Sequence, residues 1–153
     1  MEKNISKNKM LLATLCFCIL TSCSGYSSYQ LTFNNQPVYT PPTIYNDFKV
    51  ADQALQNCLT QTIIDRQITD IRNLRLLNCS YAGIENLDGL THFKWLETIN
   101  LSDNKISDIK PLMFLGQLQK VNLKGNNSLH CNDLDALEKF TLGQLVAPDN
   151  CLK

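Results

Sequence analysis

The stretch "TINLSDNKISDIKPLMFL", residues 98–115, decides the fold. Its first five residues alternate, with Ile99 and Leu101 apolar and Thr98, Asn100 and Ser102 polar, which is the two-residue period of a half-buried strand. The spacing then lengthens. Ile106, Ile109, Leu112 and Leu115 recur every three residues, so a short strand is followed by a returning segment that lays its apolar side on the same core. Asn104 stands where the chain turns away from the strand. There an inward-facing amide can satisfy backbone groups that no ladder reaches.

Moving outward, the pattern repeats at a fixed interval of 22 residues. Leu74, Leu96 and Leu118 form one series, and Leu77, Ile99 and Val121 the next. Cys79, Leu101 and Leu123 follow, then Ile84 with Ile106 and Leu87 with Ile109. Leu90, Leu112 and Leu134, and finally Phe93, Leu115 and Leu137, complete the frame. Two positions depart from it: the first copy has Ala82 where Asn104 and Asn126 stand, and the third has Ser128 where isoleucine is expected.

This period resembles leucine-rich repeats, and "NKISDIKPLMFL" (residues 104–115) is similar to the internalin-like type at every defined position. The resemblance implies an α/β repeat fold, a short solenoid of about three repeats whose parallel strands line a concave face. One such coil cannot close its own core, so the two ends need covers. A helix beginning near Asn46 and Asp47, both good capping types, places Leu55, Cys58, Leu59 and Thr62 on one face and is expected as the N-terminal cap. A second helix, with Asn132 as N-cap and Leu134, Leu137 and Phe140 on its apolar side, is expected to run to Gly143 as the C-terminal cap. The resulting division is 47–73 for the first cap, 74–131 for the repeats and 132–153 for the last cap.

The chain has 153 residues, 44% of them hydrophobic and 18% charged, with a formal net charge of zero. That length suits one domain. The absence of a basic excess argues against nucleic acid. Lys3, Lys7 and Lys9 precede an uncharged run, residues 10–20, whose eleven residues would span only about 16 Å as a helix. That is short of a ~30 Å hydrocarbon core, so a secretory signal is expected in place of a transmembrane anchor. Leu20-Thr21-Ser22-Cys23 resembles a bacterial lipoprotein lipobox. The resemblance implies cleavage after Ser22 and acylation of Cys23, including palmitate. Ser24 after the lipidated cysteine implies the outer membrane of a Gram-negative envelope. Residues 23–46 then read as an uncharged tether, although its tyrosines and prolines also suit an extended segment packed on the domain.

With Cys16 and Cys18 in the signal and Cys23 lipidated, Cys58, Cys79, Cys131 and Cys151 remain. Four cysteines allow three pairings, and the repeat frame selects among them. Cys58 lies on the inward face of the first cap and Cys79 in the strand beneath it, while Cys131 opens the last cap and Cys151 ends its tail. Disulfides Cys58–Cys79 and Cys131–Cys151 are therefore expected, as export permits. The rivals are weaker, because no CxxC or HxxxH spacing supports zinc and His92 falls away from the strands.

The outward strand positions form the candidate binding face: Leu76, Thr98 and Lys120 in one column, Asn78, Asn100 and Asn122 in the next, Ser102 and Lys124 in a third. The asparagines either stack on one another or present amides to a ligand. No phosphate loop, catalytic triad order or metal cluster occurs, so neither enzyme activity, a catalytic residue, a metal nor a cofactor is expected. The expected function is non-catalytic protein binding at the cell envelope by a monomeric domain, with the membrane reached through the N-terminal lipid and no nucleic-acid partner. The alternative is an assembly role in which the tether makes the contacts.

Overall fold

The computed structural model describes residues 31–40, 42–141 and 143–151. The signal sequence, the lipobox and Cys23 lie outside the described residues. The chain divides into two units, Met1–Pro42 and Thr43–Lys153.

In the first unit, β1 (Leu31–Phe33) and β2 (Gln36–Tyr39) pair antiparallel. Asn34 and Asn35 join them with φ of 50° and 60°, both in the left-handed region. Two consecutive positive φ values make the primed hairpin turn whose twist matches the strands, and asparagine tolerates them well. The hairpin falls within residues 23–46, expected as an uncharged tether or an extended segment. Asn-Asn between two short β-forming runs was the signal for it.

The second unit alternates short strands with return segments. Its strands are β3 (Leu76–Asn78), β4 (Thr98–Asn100), β5 (Lys120–Asn122) and β6 (Gln144–Val146), all parallel and in the order β3-β4-β5-β6. The registers Leu76↔Thr98 and Thr98↔Lys120 keep the 22-residue interval, so every inward series stacks on itself. Leu77, Ile99 and Val121, with Cys79, Leu101 and Leu123 beside them, are all buried. The return segments are 3-10 turns at Leu90–His92 and Lys110–Phe114, followed by helix α2 at Cys131–Phe140. From these Leu90, Phe93, Leu112, Leu115, Leu134 and Leu137 close the other wall of the core. Strands of three residues supply few ladder bonds, so burial of these stacked apolar columns carries most of the stability.

The strand β6 was not legible in the repeat frame. It lies 24 residues beyond β5 (Lys120↔Gln144), in the tail expected to follow the last cap helix. Gly143 makes the pairing possible: a Cβ there would collide with the Gln119 carbonyl, which instead accepts the Gln144 amide at 2.7 Å. The chain leaves α2 at Thr141 to make this approach, which carries Phe140 past the edge of the core. Phe140 is exposed, contrary to its expected place on the buried face. Helix α2 also begins two residues earlier than expected, with His130 in place of Asn132 at the N-cap and no side-chain cap bond.

At the other end, helix α1 covers Gln53–Asp65 and not 47–61. Asp52, not Asp47, is its N-cap, because one carboxylate can serve two elements at once. Its Oδ1 accepts from Leu55 N at 2.9 Å, while Oδ2 accepts from the Glu85 and Asn86 amides at 2.8 and 3.1 Å. Residues 43–50 run extended instead, donating Tyr45 N to Ile68 O and laying Ile44, Tyr45 and Phe48 against the core. Phe48 meets Phe93 edge-on at 5.2 Å between ring centres. Residues 43–46, expected in the tether, thus pack with the repeats. Leu55, Leu59 and Ile63 are the buried face of α1, and Gln67 with φ 51° ends it as Ile68 N returns to Ile63 O.

The frame also explains Ala82. Asn104 Nδ2 donates to Cys79 O and Leu101 O at 2.8 Å, and its Oδ1 accepts from Ile84 N at 3.0 Å. Asn126 repeats these bonds one turn lower, to Leu101 O, Leu123 O and Ile106 N. Each amide therefore serves its own turn and the turn before it. An asparagine at 82 would face the corresponding groups of residues 57 and 62, which lie inside α1 and bond within the helix. Cys79 O is already served from Asn104 below.

Candidate functional site

The outward face of the four-stranded sheet gathers most of the residues expected to bind. Leu76, Asn78, Lys120 and Lys124 are exposed, and Thr98, Asn100 and Asn122 are half-buried. Ser102 is a correction, for it is only 7% exposed. A two-atom side chain in a middle turn is covered from both sides, since the ladder continues past the strand ends through Tyr81 N to Ser102 O and Asp103 N to Lys124 O.

The asparagine column takes neither of the two expected arrangements in full. Asn78, Asn100 and Asn122 each turn Oδ1 back to the amide two residues on, at Ser80 (3.3 Å), Ser102 (3.1 Å) and Lys124 (3.1 Å). These bonds fix the amide orientation, because a backbone N–H requires an oxygen opposite it. They also tie down the turn at the end of each strand. The Nδ2 donors remain in a column with the strand-to-strand spacing of about 4.8 Å.

Charge on this face comes from Lys120 and Lys124. Two acids on the preceding turn have other partners: Glu97 accepts from Arg75 at 2.7 Å, and Asp103 from the Tyr81 hydroxyl. Asp103 as hydrogen-bond acceptor and as nearby charge raises the Tyr81 phenol above its ordinary value. Arg75 also lies 5.3 Å from the centre of the Trp95 ring, a cation–π contact that sequence reading missed because the two residues are 20 apart. At the first edge of the sheet, Arg66 donates to Leu76 O at 3.3 Å. Gln144 and Val146 extend the face on the added strand.

Cys58 and Cys79 are brought to disulfide distance, with Cα atoms 5.8 Å apart, and so are Cys131 and Cys151 at 5.3 Å. His92 does not approach either pair; its Nδ1 lies 2.8 Å from Gly89 O. Among the described residues no group of three His, Cys, Asp or Glu side chains converges as a metal site would require. None of the described helices is long and apolar enough to cross a membrane.

Comparison with known proteins agrees with this architecture. The family model "Leucine Rich repeats (2 copies)" matches residues 72–112. Leucine-rich repeat-containing protein 56 of Mus musculus is 39% identical over 59 residues, 39% of this chain, and its Homo sapiens counterpart is 36% identical over the same length. The match spans only 11% of either relative. Among solved structures, the CBM51-2 and INT domains of Clostridium perfringens ZmpB align over 56% of this chain and 18% of theirs, with 25% identity and a TM-score of 0.42. The same domains in complex with GlcNAc align with a TM-score of 0.43 and 25% identity over the same shares. The chain therefore carries leucine-rich repeats.

Proposed function

We propose that this protein is a non-catalytic interaction module, lipid-anchored at a bacterial cell envelope, which binds a protein partner on its sheet. Leucine-rich repeat domains generally mediate protein–protein contacts, and the observation that carries the reading is the open sheet face. Four parallel strands present a continuous surface whose side chains include the three-asparagine column and two lysines with no carboxylate beside them among the described residues. Helices α1 and α2 act as its covers. The cysteine pairs staple those covers to the array, a device that suits an exported chain. The anchor is Cys23 within Leu20-Thr21-Ser22-Cys23, with cleavage after Ser22 and acyl chains, palmitate among them, holding the protein to a membrane. Ser24 favours the outer membrane, with the repeats facing the periplasm or the surface.

The face is small, so contact at the weak end of protein interfaces is expected. Substituting Asn100 and Lys120 together should abolish capture of the partner from envelope extracts. Capture that survives this substitution places the contact elsewhere. The hairpin then becomes the alternative surface, since Phe33 and Val38 are 71% and 68% exposed there and suit an assembly role for the tether region. For the anchor, mass spectrometry of a Cys23→Ser form is decisive: retained acyl mass refutes lipidation at that thiol.

A further inference from the structure

We infer that the sheet selects an acceptor-rich, acidic peptide segment, a specificity that rests on the proposed use of this face for protein binding. The argument is one of hydrogen-bond inventory. Asn78, Asn100 and Asn122 each turn the side-chain oxygen back to a backbone amide at 3.1–3.3 Å, so the Nδ2 donors are the ends of these amides left without a protein partner. Lys120 and Lys124 are ammonium donors with no acceptor capacity, exposed, and set about 13 Å apart along the strand direction. Across the middle of the sheet the amides and ammoniums supply donors and positive charge together.

Four cations elsewhere among the described residues lie beside carboxylates. Lys105 reaches Glu85 at 3.3 Å, Lys110 lies 3.8 Å from Asp108, and Arg72 and Arg75 have Asp70 and Glu97 at 2.6 and 2.7 Å. Lys120 and Lys124 have no carboxylate beside them among the described residues, and they stand on the sheet face next to the asparagine amides. An extended peptide suits the face because its carbonyls can meet amides spaced about 4.8 Å apart, and its carboxylates can meet the lysines. The outward strand positions carry no aromatic ring on which a sugar could stack, which disfavours an anionic polysaccharide. Leu76, 39% exposed at the edge of the column, adds an apolar contact at one end.

The test uses the full-length protein and a fluorescent twelve-residue peptide of alternating Glu and Gly, followed by anisotropy against its Gln-for-Glu counterpart. Binding of the Glu peptide at least tenfold tighter is expected, weakening as salt rises. Lys120→Glu with Lys124→Glu should remove at least tenfold of that affinity, whereas Lys105→Glu with Lys110→Glu on the return segments should leave it within twofold. Equal binding of the two peptides, or equal loss in both double variants, overturns the inference. So does a sulfated dextran that binds the sheet lysines while the Glu peptide does not. Failure of the inference is separable from failure of the site. A native partner captured through Asn100 but indifferent to charge reversal at 120 and 124 would leave the binding face standing and remove only its acidic preference.

Discussion

Asn104 holds two turns of the coil with a single amide, and its worth follows from what its removal would strand. Asn104→Ala leaves Cys79 O, Leu101 O and Ile84 N without this partner in a buried place, and a loss of about 2–3 kcal/mol is expected in urea unfolding. The reverse substitution is the sharper test. Ala82→Asn restores the repeat pattern but offers its amide to helical groups already bonded, so it should lower stability by about 1 kcal/mol and not raise it. Asp52 is the other residue with two duties. Burial draws its carboxyl upward, yet the backbone amides of Glu85, Leu55, Asn86 and Ala54 outweigh that and hold it below the ordinary carboxylate value. A carboxyl depressed in the folded state stabilises fully above its unfolded pKa of about 3.9 and loses that contribution as pH falls through the folded value. The wild type should therefore lose stability through the pH range below about 4. Asp52→Asn should flatten that part of the profile and cost about 1 kcal/mol at pH 7, because its Nδ2 would confront the Glu85 and Asn86 amides.

At the scale of elements, the C-terminal end is where sequence pattern and structure part. Strand β6 exists because α2 returns the chain to β5 and because Gly143 lets it lie against the Gln119 carbonyl. Gly143→Ala should release that strand while leaving β3 and β4 protected, seen as faster hydrogen exchange confined to residues 143–151. Uniform acceleration across the sheet would instead mean that β6 is integral to the whole array. The N-terminal end differs in kind. Helix α1 is placed by its cap contacts with residues 85 and 86 and by the stack of Tyr45, Phe48 and Phe93, all of long range, so helix propensity alone put its start several residues too early. The hairpin β1–β2 was overlooked for the opposite reason: its signal is local, two asparagines at positive φ, within a composition that otherwise reads as linker.

For the whole molecule, a short array leaves a large share of its stability at its ends. The cysteine pairs close loops with sequence separations of 21 and 20 residues, each worth about 3 kcal/mol in the chain-entropy account. Replacing Cys131 and Cys151 together by serine should lower the thermal midpoint by about 10–20 °C, given about 4–8 °C per kcal/mol for a domain of this size. Reductant should reproduce that fall in the wild type and have little further effect at that end in the variant. The sequence by itself determined the periodic middle: the 22-residue interval, the inward columns, the buried Asn104 and Asn126, and the strand registers, because a repeat unit meets only its neighbours and local spacing dictates what stacks. Tertiary structure alone decided the ends and the character of the face. Where α1 starts, why Ala82 suffices, that a fourth strand closes the sheet and that Ser102 is buried all depend on groups 20 or more residues away. The asparagine column differs: each Oδ1 is engaged by an amide only two residues on, yet a sequence shows an amide without showing which of its two ends is already taken.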